Sequence, residues 1–365
     1  MTSSLDERYM ALALSLGRRG MGRVWPNPAV GCVIVNEGRI VGRGWTADGG
    51  RPHAEPRALA QAGDAAKGAT VYVTLEPCAH HGQTGPCVDA LIAAGVARVV
   101  IALGDPDPRV DGGGISKLEA AGISVTTAVG QARAAADHAG FLLRVTQGRP
   151  LVTLKLAGTL DGRIATATGE SQWITGPAAR RAVHMMRARH DAVMVGAGTV
   201  RADDPALTVR GLGIARQPVR VVVSRAAKLP PDAQLAQTAT QVPVWLCHGS
   251  GADVAPWTAQ GVIGLPCETR SGQIDPLSAM KALATCGITR VFCEGGGMLA
   301  ASLLNADLVD RLVVISAGCA IGAEGTPMLA AMGVDRLAHA PRFDLSDVSR
   351  LGEDICHVWQ RSSAP

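Results

Sequence analysis

The sequence predicts an α/β protein made of two domains. The chain has 365 residues, which is enough for about two domains of ordinary size. Strand-like and helix-like segments alternate along both halves, as expected for α/β layers. Polar residues, Gly and Pro come together at 146–150, which is typical of a linker. We therefore expect one domain over residues 1–146 and a second over residues 151–362.

The first domain is expected to begin with a helix and a β-hairpin. Apolar residues recur at helical spacing over 5–20. Two apolar strands flank a turn at Asn36–Gly38 within 29–45, which predicts the hairpin. Further strands are predicted at 69–77, 96–103 and 123–129, and helices at about 54–62, 86–95 and 114–122.

The second domain is expected to alternate in the same way, without repeating the sequence of the first. Strands are predicted at 151–157, 192–196, 219–223, 243–247, 290–293 and 311–317. Helices are predicted at about 177–189, 276–286 and 297–304.

Composition and charge narrow the class of protein. Apolar residues make up 47% of the chain and charged residues 18%, which is typical of a globular protein. A net charge of +4 over this length does not predict nucleic-acid binding. Asp6 and Glu7 argue against a signal peptide, and no apolar window reaches the length of a membrane span. We expect a cytoplasmic protein whose nine cysteines are reduced.

One set of residues in the first domain has the composition of a catalytic zinc site. His53 and Glu55 form an H-x-E element at a predicted helix start, and Cys78 and Cys87 each follow a proline. A catalytic zinc ion keeps three protein ligands and one water, whose pKa it lowers to about 7. An H-x-E element followed by two cysteines is the layout of zinc nucleobase deaminases, in which the glutamate moves protons. We predict His53, Cys78 and Cys87 as ligands and Glu55 as the proton shuttle.

Three other interpretations stay open on the residues alone. His53 could be an ordinary surface residue and the cysteines ordinary core residues. A structural zinc site is a second interpretation, although no fourth ligand is obvious. His80 and His81 could replace His53 as the nitrogen ligand. Eight residues separate Cys78 from Cys87, where the general deaminase pattern has two.

Several longer motifs resemble the deaminase half of the bifunctional deaminase/reductase family of riboflavin biosynthesis. They are PNPAVGCVIV (26–35), HAE (53–55), EPCAHHGQTGPC (76–87) and GDPDPRVDGGG (104–114). The resemblance implies a cytidine-deaminase-like three-layer domain that removes a ring amino group from a diaminopyrimidinone carrying a ribosylamino 5-phosphate. It implies the same zinc ligands and proton shuttle, and it places Asn27 in a loop that faces the substrate. Asn27 could instead serve only to make the turn between its two flanking prolines.

The chain departs from this family's pattern at three positions. Gly85 replaces the first of two prolines before the second cysteine, Asp107 stands where Asn is common, and Pro56 follows the shuttle glutamate. Proline is tolerated in the first turn of a helix. These departures concern loop detail and leave the predicted ligands in place.

The second half resembles the reductase half of the same family, which has a dihydrofolate-reductase-like fold. The matching stretches are 151–176, 185–210, 221–230 and 292–304, so the resemblance covers nearly the whole chain. It implies that NADPH reduces the ribose to a ribityl chain. The EGGG turn at 294–297 follows a strand and opens a helix, and its N–H groups could hold the dinucleotide phosphates or could simply allow tight packing.

The resemblance assigns two sets of residues in this half. The residues implied for the cofactor are Ala157, Trp173, Thr199, Asp203, Ser224, Gly296, Gly297, Met298, Leu299, Ala300, Ala301 and Ser302. The residues implied for the substrate are Ser171, Arg187, Leu207, Arg210 and Glu294, with the two arginines as clamps for the 5-phosphate. Arg225 could read the 2′-phosphate of NADPH or could be a solvated loop residue. Trp173 could be simple core, and Lys155 has no assigned role.

We expect one polypeptide with two consecutive activities on a small pyrimidine ribonucleotide, using Zn²⁺ and NADPH. We expect no nucleic-acid or membrane partner, and the family tendency implies a homo-oligomer through the reductase domain. One alternative is a deaminase whose second half only binds the cofactor. Two others are a non-catalytic zinc-stabilised scaffold and a deaminase of nucleic-acid bases.

Overall fold

Residues 4–82, 85–107, 110 and 112–362 are described by a computed structural model. The chain divides into two units, Met1–Gly148 and Arg149–Pro365, which we call the N-terminal unit and the C-terminal unit. Within the described residues, no helix combines the length and the apolar character that crossing a membrane requires.

The N-terminal unit contains a sheet of five strands in the described residues, ordered β2-β1-β3-β4-β5. Strand β1 runs antiparallel to β2 and β3, and β3, β4 and β5 are parallel. The strands are β1 Gly31–Asn36, β2 Arg39–Trp45, β3 Thr70–Val73, β4 Arg98–Ile101 and β5 Ser124–Thr126. The helices are α1 Ser4–Gly17, α2 Ala54–Ala62, α3 Cys87–Ala93, α4 Gly113–Ala120 and α5 Gln131–Gln147.

Helices cover both faces of this sheet because its side chains alternate between two cores. Val33 faces α1 and α5 in one core, together with Tyr72. Ile34 faces α2, α3 and α4 in the other, together with Val71. The result is the three-layer arrangement that the family resemblance implies.

A close approach between β2 and α2 sets the position of the H-x-E helix. A Cβ atom added at Gly44 would lie 2.0 Å from the Ala54 carbonyl oxygen. Only glycine therefore allows β2 to lie this close to the first turn of α2.

Most elements of the N-terminal unit agree with the prediction, with two exceptions. The predicted strand 69–77 ends at Val73, so Cys78 lies in the irregular segment that follows β3 and not directly after a strand. Pro77 lacks the N–H that would continue the strand ladder. The 17-residue helix α5 was not predicted at all.

The C-terminal unit is built on a sheet of nine strands in the described residues, ordered β11-β10-β9-β8-β14-β6-β15-β18-β17. Its strands are β6 Leu151–Thr159, β7 Arg163–Ala165, β8 Ala192–Gly196, β9 Val219–Val223, β10 Val244–Gly249, β11 Ile263–Cys267, β12 Thr269–Arg270, β13 Gln273–Ile274, β14 Arg290–Cys293, β15 Arg311–Ala317, β16 Thr326–Pro327, β17 Phe343–Leu351 and β18 Asp354–Arg361. Its helices are α6 Pro177–Ala188, α7 Ala197–Asp203, α8 Gln234–Gln237, α9 Ala255–Thr258, α10 Pro276–Thr285 and α11 Gly297–Asn305.

The central strands of this sheet are parallel, so their carboxyl ends share one edge. The parallel strands are, in spatial order, β11, β10, β9, β8, β14, β6 and β15. Strands β18 and β17 add an antiparallel hairpin next to β15. Ligands of open α/β sheets bind outside the carboxyl ends of the strands. The predicted cofactor and substrate residues after β8, β9 and β14 lie at this edge.

The C-terminal unit begins with an anchored arginine. Arg149 donates two hydrogen bonds of 2.8 Å to the carboxylate of Asp310, one to each oxygen. The same carboxylate accepts a 2.8 Å hydrogen bond from the Val152 N–H. Both side chains of the pair are largely buried. The first residue of the unit is therefore fixed to the turn that leads into β15.

Candidate active sites

Three residues from different segments meet in the N-terminal unit. His53 is the residue before α2, and Cys87 is the first residue of α3. Cys78 lies in the segment between β3 and α3. The His53 Nδ1 atom is 3.4 Å from the Cys87 sulfur and 3.8 Å from the Cys78 sulfur.

This cluster has the geometry of a tetrahedral zinc site. Its three ligand atoms all lie within 4.8 Å of one another, and no other such group occurs among the described residues. Zinc–nitrogen bonds of about 2.0–2.1 Å and zinc–sulfur bonds of about 2.3 Å at tetrahedral angles place the nitrogen and sulfur about 3.6 Å apart. The two nitrogen–sulfur distances lie on either side of that value. The residues present therefore fit the metal, and three ligands are the number found in catalytic sites.

The electrostatics of the cluster favour a thiolate at Cys78. A hydrogen bond from the Cys87 thiol lowers the pKa of Cys78 to about 4. The Cys87 N–H also donates to the Cys78 sulfur, at 3.3 Å. Hydrogen bonds to the charged form stabilise it, and a thiolate is the form that binds metals.

Glu55 lies beside the cluster in a nearly water-free position. Only 3% of its surface is exposed. Burial raises the pKa of its carboxyl group, while the nearby His53 ring opposes the rise. A carboxyl group whose pKa moves towards neutrality can both accept and return a proton under working conditions. This environment suits the predicted role of Glu55, which stays a prediction.

Sequence reasoning missed Glu76, which organises the loop beside the cysteine segment. Its buried carboxylate accepts backbone hydrogen bonds from Gly114 at 2.9 Å, Ile115 at 3.2 Å, Gly112 at 3.3 Å and Asp105 at 3.4 Å. A buried carboxylate needs such donors, since water cannot reach it. Glu76 comes two residues before Cys78, so it ties the GDPDPRVDGGG motif to the metal cluster. The acidic residue directly before Pro-Cys is the sequence signal that could have identified it.

The other predicted residues of this unit lie near the cluster. Asn27 packs against the turn that precedes His53, because a Cβ added at Gly50 would lie 2.0 Å from its Nδ2 atom. Its role towards the substrate stays a prediction. Pro56 lies in the first turn of α2. Backbone N–H groups in the first turn of a helix have no acceptor within the helix, so a proline there costs no helical hydrogen bond.

In the C-terminal unit, the predicted substrate residues Arg187 and Glu294 are paired with each other. The Arg187 Nε donates to one carboxylate oxygen of Glu294 at 2.5 Å, and its Nη2 donates to the other at 3.1 Å. Arg187 also donates to the Thr208 carbonyl, at 2.9 Å, next to the predicted residue Leu207. The Arg210 N–H donates to His184 Nδ1 at 3.2 Å. The segment 207–210, α6 and the end of β14 thus form one polar cluster.

Lys155 lies next to this cluster, in the strand beside β14. Burial lowers the pKa of its ammonium group, and the Glu294 carboxylate opposes that effect. Strands β14 and β6 are paired with Cys293 opposite Leu154, which places Lys155 and Glu294 side by side in the register. A half-buried cation near one carboxylate is a candidate for contact with the substrate.

The predicted phosphate-binding turn has the expected local structure. Strand β14 ends at Cys293 and α11 begins at Gly297, as the EGGG motif predicted. The Gly296 N–H donates to the predicted cofactor residue Thr199, at 3.3 Å to Oγ1. At Gly297 an added Cβ would lie 2.9 Å from the Ala330 backbone nitrogen, so tight packing is also present.

The remaining predicted cofactor residues have different exposures. Met298 is 76% exposed, whereas the side chains of Ala300 and Ala301 are buried. Trp173 is 69% exposed and lies under the Arg180 guanidinium, 4.5 Å from the ring centroid. The interpretation of Trp173 as simple core is therefore wrong. Ala157 lies on β6, and Leu299 and Ser302 lie on α11. Asp203 is the last residue of α7, and Ser171 precedes α6.

Ser224 and Arg225 directly follow β9 but differ in their surroundings. Ser224 is 7% exposed, whereas Arg225 lines an open cavity of about 640 Å³ with Lys228 and Ser250. This cavity lies at the carboxyl ends of β9 and β10. Arg225 is exposed and lines this cavity, so recognition of the 2′-phosphate and a solvated loop position both stay open for it.

Comparisons with known proteins agree along the whole chain. The model of the cytidine and deoxycytidylate deaminase zinc-binding region matches residues 3–103, and that of the RibD C-terminal domain matches residues 150–357. The riboflavin biosynthesis protein RibD of Escherichia coli is 43% identical, over 96% of this chain and 98% of the relative. The RibD protein of Aquifex aeolicus is 39% identical, over 99% of this chain and all of the relative.

Two solved structures have the same architecture. Acinetobacter baumannii RibD is 40% identical with a TM-score of 0.88, over 98% of this chain and 99% of that one. A Thermotoga maritima diaminohydroxyphosphoribosylaminopyrimidine deaminase/5-amino-6-(5-phosphoribosylamino)uracil reductase is 34% identical with a TM-score of 0.87, over the same shares. A deaminase zinc-binding unit followed by a reductase unit, matched over nearly the full length by such relatives, places this chain in the RibD family of bifunctional zinc-dependent deaminases and NADPH-dependent reductases of riboflavin biosynthesis.

Proposed function

We propose that this chain catalyses two consecutive steps on one pyrimidine ribonucleotide. The first is hydrolytic deamination of 2,5-diamino-6-(5-phosphoribosylamino)pyrimidin-4(3H)-one. The second is reduction of the ribosyl group by NADPH, which gives 5-amino-6-(5-phosphoribitylamino)uracil. The observation that carries the proposal is the meeting of His53, Cys78 and Cys87 beside a buried Glu55, in a chain that also carries the reductase unit.

In the deaminase step, His53, Cys78 and Cys87 would hold zinc through one nitrogen and two sulfur atoms. Zinc bound there supplies a Lewis acid that makes water a competent nucleophile near neutral pH. Glu55 accepts a proton on its carboxylate and returns it to the departing amino group, which leaves as ammonia. Its burial keeps that proton from bulk water. The backbone at Gly112–Ile115, fixed by Glu76, closes the loop on the cysteine segment.

In the reductase step, the chain's main task is alignment. NADPH supplies the hydride, and its phosphates would lie against the amino end of α11, which begins at Gly297. Arg187 and Glu294 hold each other in a fixed geometry, which leaves Glu294 oxygen lone pairs for ribose hydroxyl groups. Arg210 is exposed and free to bind the 5-phosphate. Hydride transfer depends more on such positioning than on a single acid or base.

The match to the RibD C-terminal domain favours a working reductase over a second half that only binds cofactor. The same proposal places the protein in the cytoplasm, with small-molecule partners and without a nucleic-acid or membrane partner. It includes self-association through the reductase unit, as the family tendency implies.

The test is a single assay on the purified, zinc-loaded chain. The diaminopyrimidinone ribosylamino phosphate starts the reaction, and ammonia release and NADPH oxidation are followed in the same tube. We expect equal amounts of ammonia and oxidised NADPH. Ammonia without NADPH oxidation would restrict the chain to deamination. The absence of both ammonia and oxidised NADPH would refute the substrate assignment.

A further inference from the structure

A second polar cavity in the N-terminal unit lies outside the metal cluster. It has a volume of about 390 Å³, and its lining is Arg19, Arg23, Trp45, Ala47, Asp48 and Arg57. We call it the arginine pocket. Its residues come from three places in the chain: the segment that follows α1, the end of β2 with the loop after it, and α2. Neither the deaminase step nor the reductase step uses them.

The arginine pocket is built around one tryptophan ring. The Arg57 guanidinium lies 4.4 Å from the Trp45 ring centroid, and the Arg19 guanidinium lies 5.0 Å from it. Arg57 also donates a 2.8 Å hydrogen bond to the Trp45 carbonyl oxygen. Stacking and a hydrogen bond hold the Arg57 guanidinium in place before any ligand arrives, which reduces the entropy that binding would lose, whereas Arg19 is held by the ring contact alone.

The charge of the arginine pocket is not balanced. Three guanidinium groups share it with one carboxylate, Asp48, which lies 3.6 Å from Arg23. Among the described residues, Arg19 and Arg57 contact the Trp45 ring and form no ion pair. Two uncompensated positive charges that point into one cavity repel each other. A ligand that carries two negative charges removes this repulsion.

The arginine pocket and Glu55 occupy different sides of α2. Residues two apart on an α-helix point about 200° away from each other around the axis. Glu55 is buried towards the metal cluster, so Arg57 points to the opposite side, where it meets Trp45. Asp48 and His53 nevertheless belong to one short loop that joins β2 to α2. The metal cluster and Glu55 are thus outside the lining of the arginine pocket, and the segment that joins β2 to α2 contributes to both sites.

We propose that the arginine pocket binds the phosphate group of a small organic phosphate. Guanidinium groups bind phosphate oxygens through paired N–H donors, and the dianion matches the net charge of the lining. The volume accommodates a phosphate ester rather than a large cofactor. The phosphate has two possible sources: the 5-phosphate of the deaminase substrate, or a separate phosphorylated molecule.

The test measures binding of inorganic pyrophosphate by calorimetry to the full-length, zinc-loaded protein saturated with NADPH, which fills the cofactor part of the reductase site. The double variant R19Q/R57Q removes both unpaired charges. The matched control is R39Q/R43Q, two exposed arginines of β2 outside the pocket. We expect R19Q/R57Q to bind pyrophosphate at this site about tenfold more weakly or not at all, and the control to bind like the wild type. Equal binding by R19Q/R57Q and wild type overturns the proposal.

Two further measurements complete the test. The variant R19K/R57K keeps the charges, so it reports on the site even where the glutamine variant folds poorly. We expect its affinity for pyrophosphate to lie between those of the wild type and R19Q/R57Q. Binding by R19K/R57K that is unaffected by added salt would contradict a charge-based site.

The KM of ammonia release then identifies the source of the phosphate. A raised KM in R19Q/R57Q assigns the pocket to the substrate's own phosphate, and an unchanged KM with lost pyrophosphate binding assigns it to a second molecule.

Discussion

Arg187 and Glu294 form a two-point ion pair across 107 residues of sequence, with nitrogen–oxygen distances of 2.5 and 3.1 Å. Both side chains are largely buried, at 13% and 9% exposure. The pair joins α6 to the end of β14 at the edge where the cofactor and substrate are expected. Each residue was assigned to the substrate by resemblance, whereas the structure shows that each also positions the other.

Glu294→Gln is expected to reduce NADPH oxidation and leave ammonia release intact. The amide keeps the shape but removes the charge that balances Arg187 and Lys155, which costs about 1–3 kcal/mol of stability. A displaced substrate lowers the rate of hydride transfer by about 100-fold. The two products are assayed separately, with the exposed Asp335→Asn as control. An equal fall in both activities would point to general unfolding instead.

Glu55→Gln is expected to retain zinc and to lose ammonia release by about 10²–10⁴-fold. Glutamine fills the same buried space but cannot accept a proton. Zinc content and ammonia are measured on the same preparation, and reduction of the already deaminated intermediate serves as the control activity. Ammonia release at the wild-type rate would remove Glu55 from the mechanism.

Cys87→Ser is expected to lose zinc. The serine oxygen is a poor replacement for thiolate, and zinc binding depends on the complete ligand set. Metal content is measured by mass spectrometry after dialysis. Cys286→Ser is the matched control, since Cys286 is exposed and outside the cluster. One zinc ion per chain in Cys87→Ser would mean that the ligand set is wrong.

Arg225→Ala is expected to raise the KM for NADPH by about tenfold and to leave the KM for NADH nearly unchanged. The two cofactors differ only in the 2′-phosphate, which a guanidinium in the cavity after β9 would bind. Steady-state kinetics with both cofactors compare the change in KM for NADPH with the change in KM for NADH. The exposed Arg336→Ala is the control. Equal increases for both cofactors would argue against recognition of the 2′-phosphate.

His190→Gln is expected to weaken the pH dependence of stability below pH 6.5. Burial lowers the pKa of His190 to about 3, and its Nε2 lies 2.9 Å from the Thr153 hydroxyl. Between its ordinary pKa of 6.5 and about 3, the unfolded chain binds a proton that the folded chain does not. Stability therefore falls as the pH falls, by up to about 1.4 kcal/mol per pH unit.

Urea midpoints at pH 7 and pH 5 measure this effect. The exposed His339→Gln is the control, and it should follow the wild type. A His190→Gln variant that loses as much stability as the wild type between the two pH values would contradict the assignment.

The elements that sequence predicted well are those with strong local signals. Strands such as 219–223 and 290–293 agree to the residue because β-branched and other apolar residues dominate these short segments. Helix α5 was missed because most of its sequence is alanine and polar residues, so few large apolar side chains mark its buried face. The hairpin β17–β18 was missed because the outer strand is exposed on both faces, so its apolar residues do not alternate.

The candidate sites show the same division between local and long-range information. His53, Glu55, Cys78 and Cys87 belong to short motifs whose chemistry can be recognised directly. The role of Glu76 depends on backbone N–H groups at 105–115, which carry no side-chain signature. The Arg187–Glu294 pair depends on the packing of α6 against the sheet, which residue spacing does not encode.

The anchoring of Arg149 determines where this chain can be divided. A fragment that begins at residue 151, the start predicted from the sequence, would delete the arginine and leave the carboxylate of Asp310 without its two strongest donors. A fragment that begins at Arg149 keeps them, and in both fragments the Val152 N–H donates to the same carboxylate. We therefore expect a reductase fragment that begins at Arg149 to hold the start of β6 more firmly than a fragment that begins two residues later.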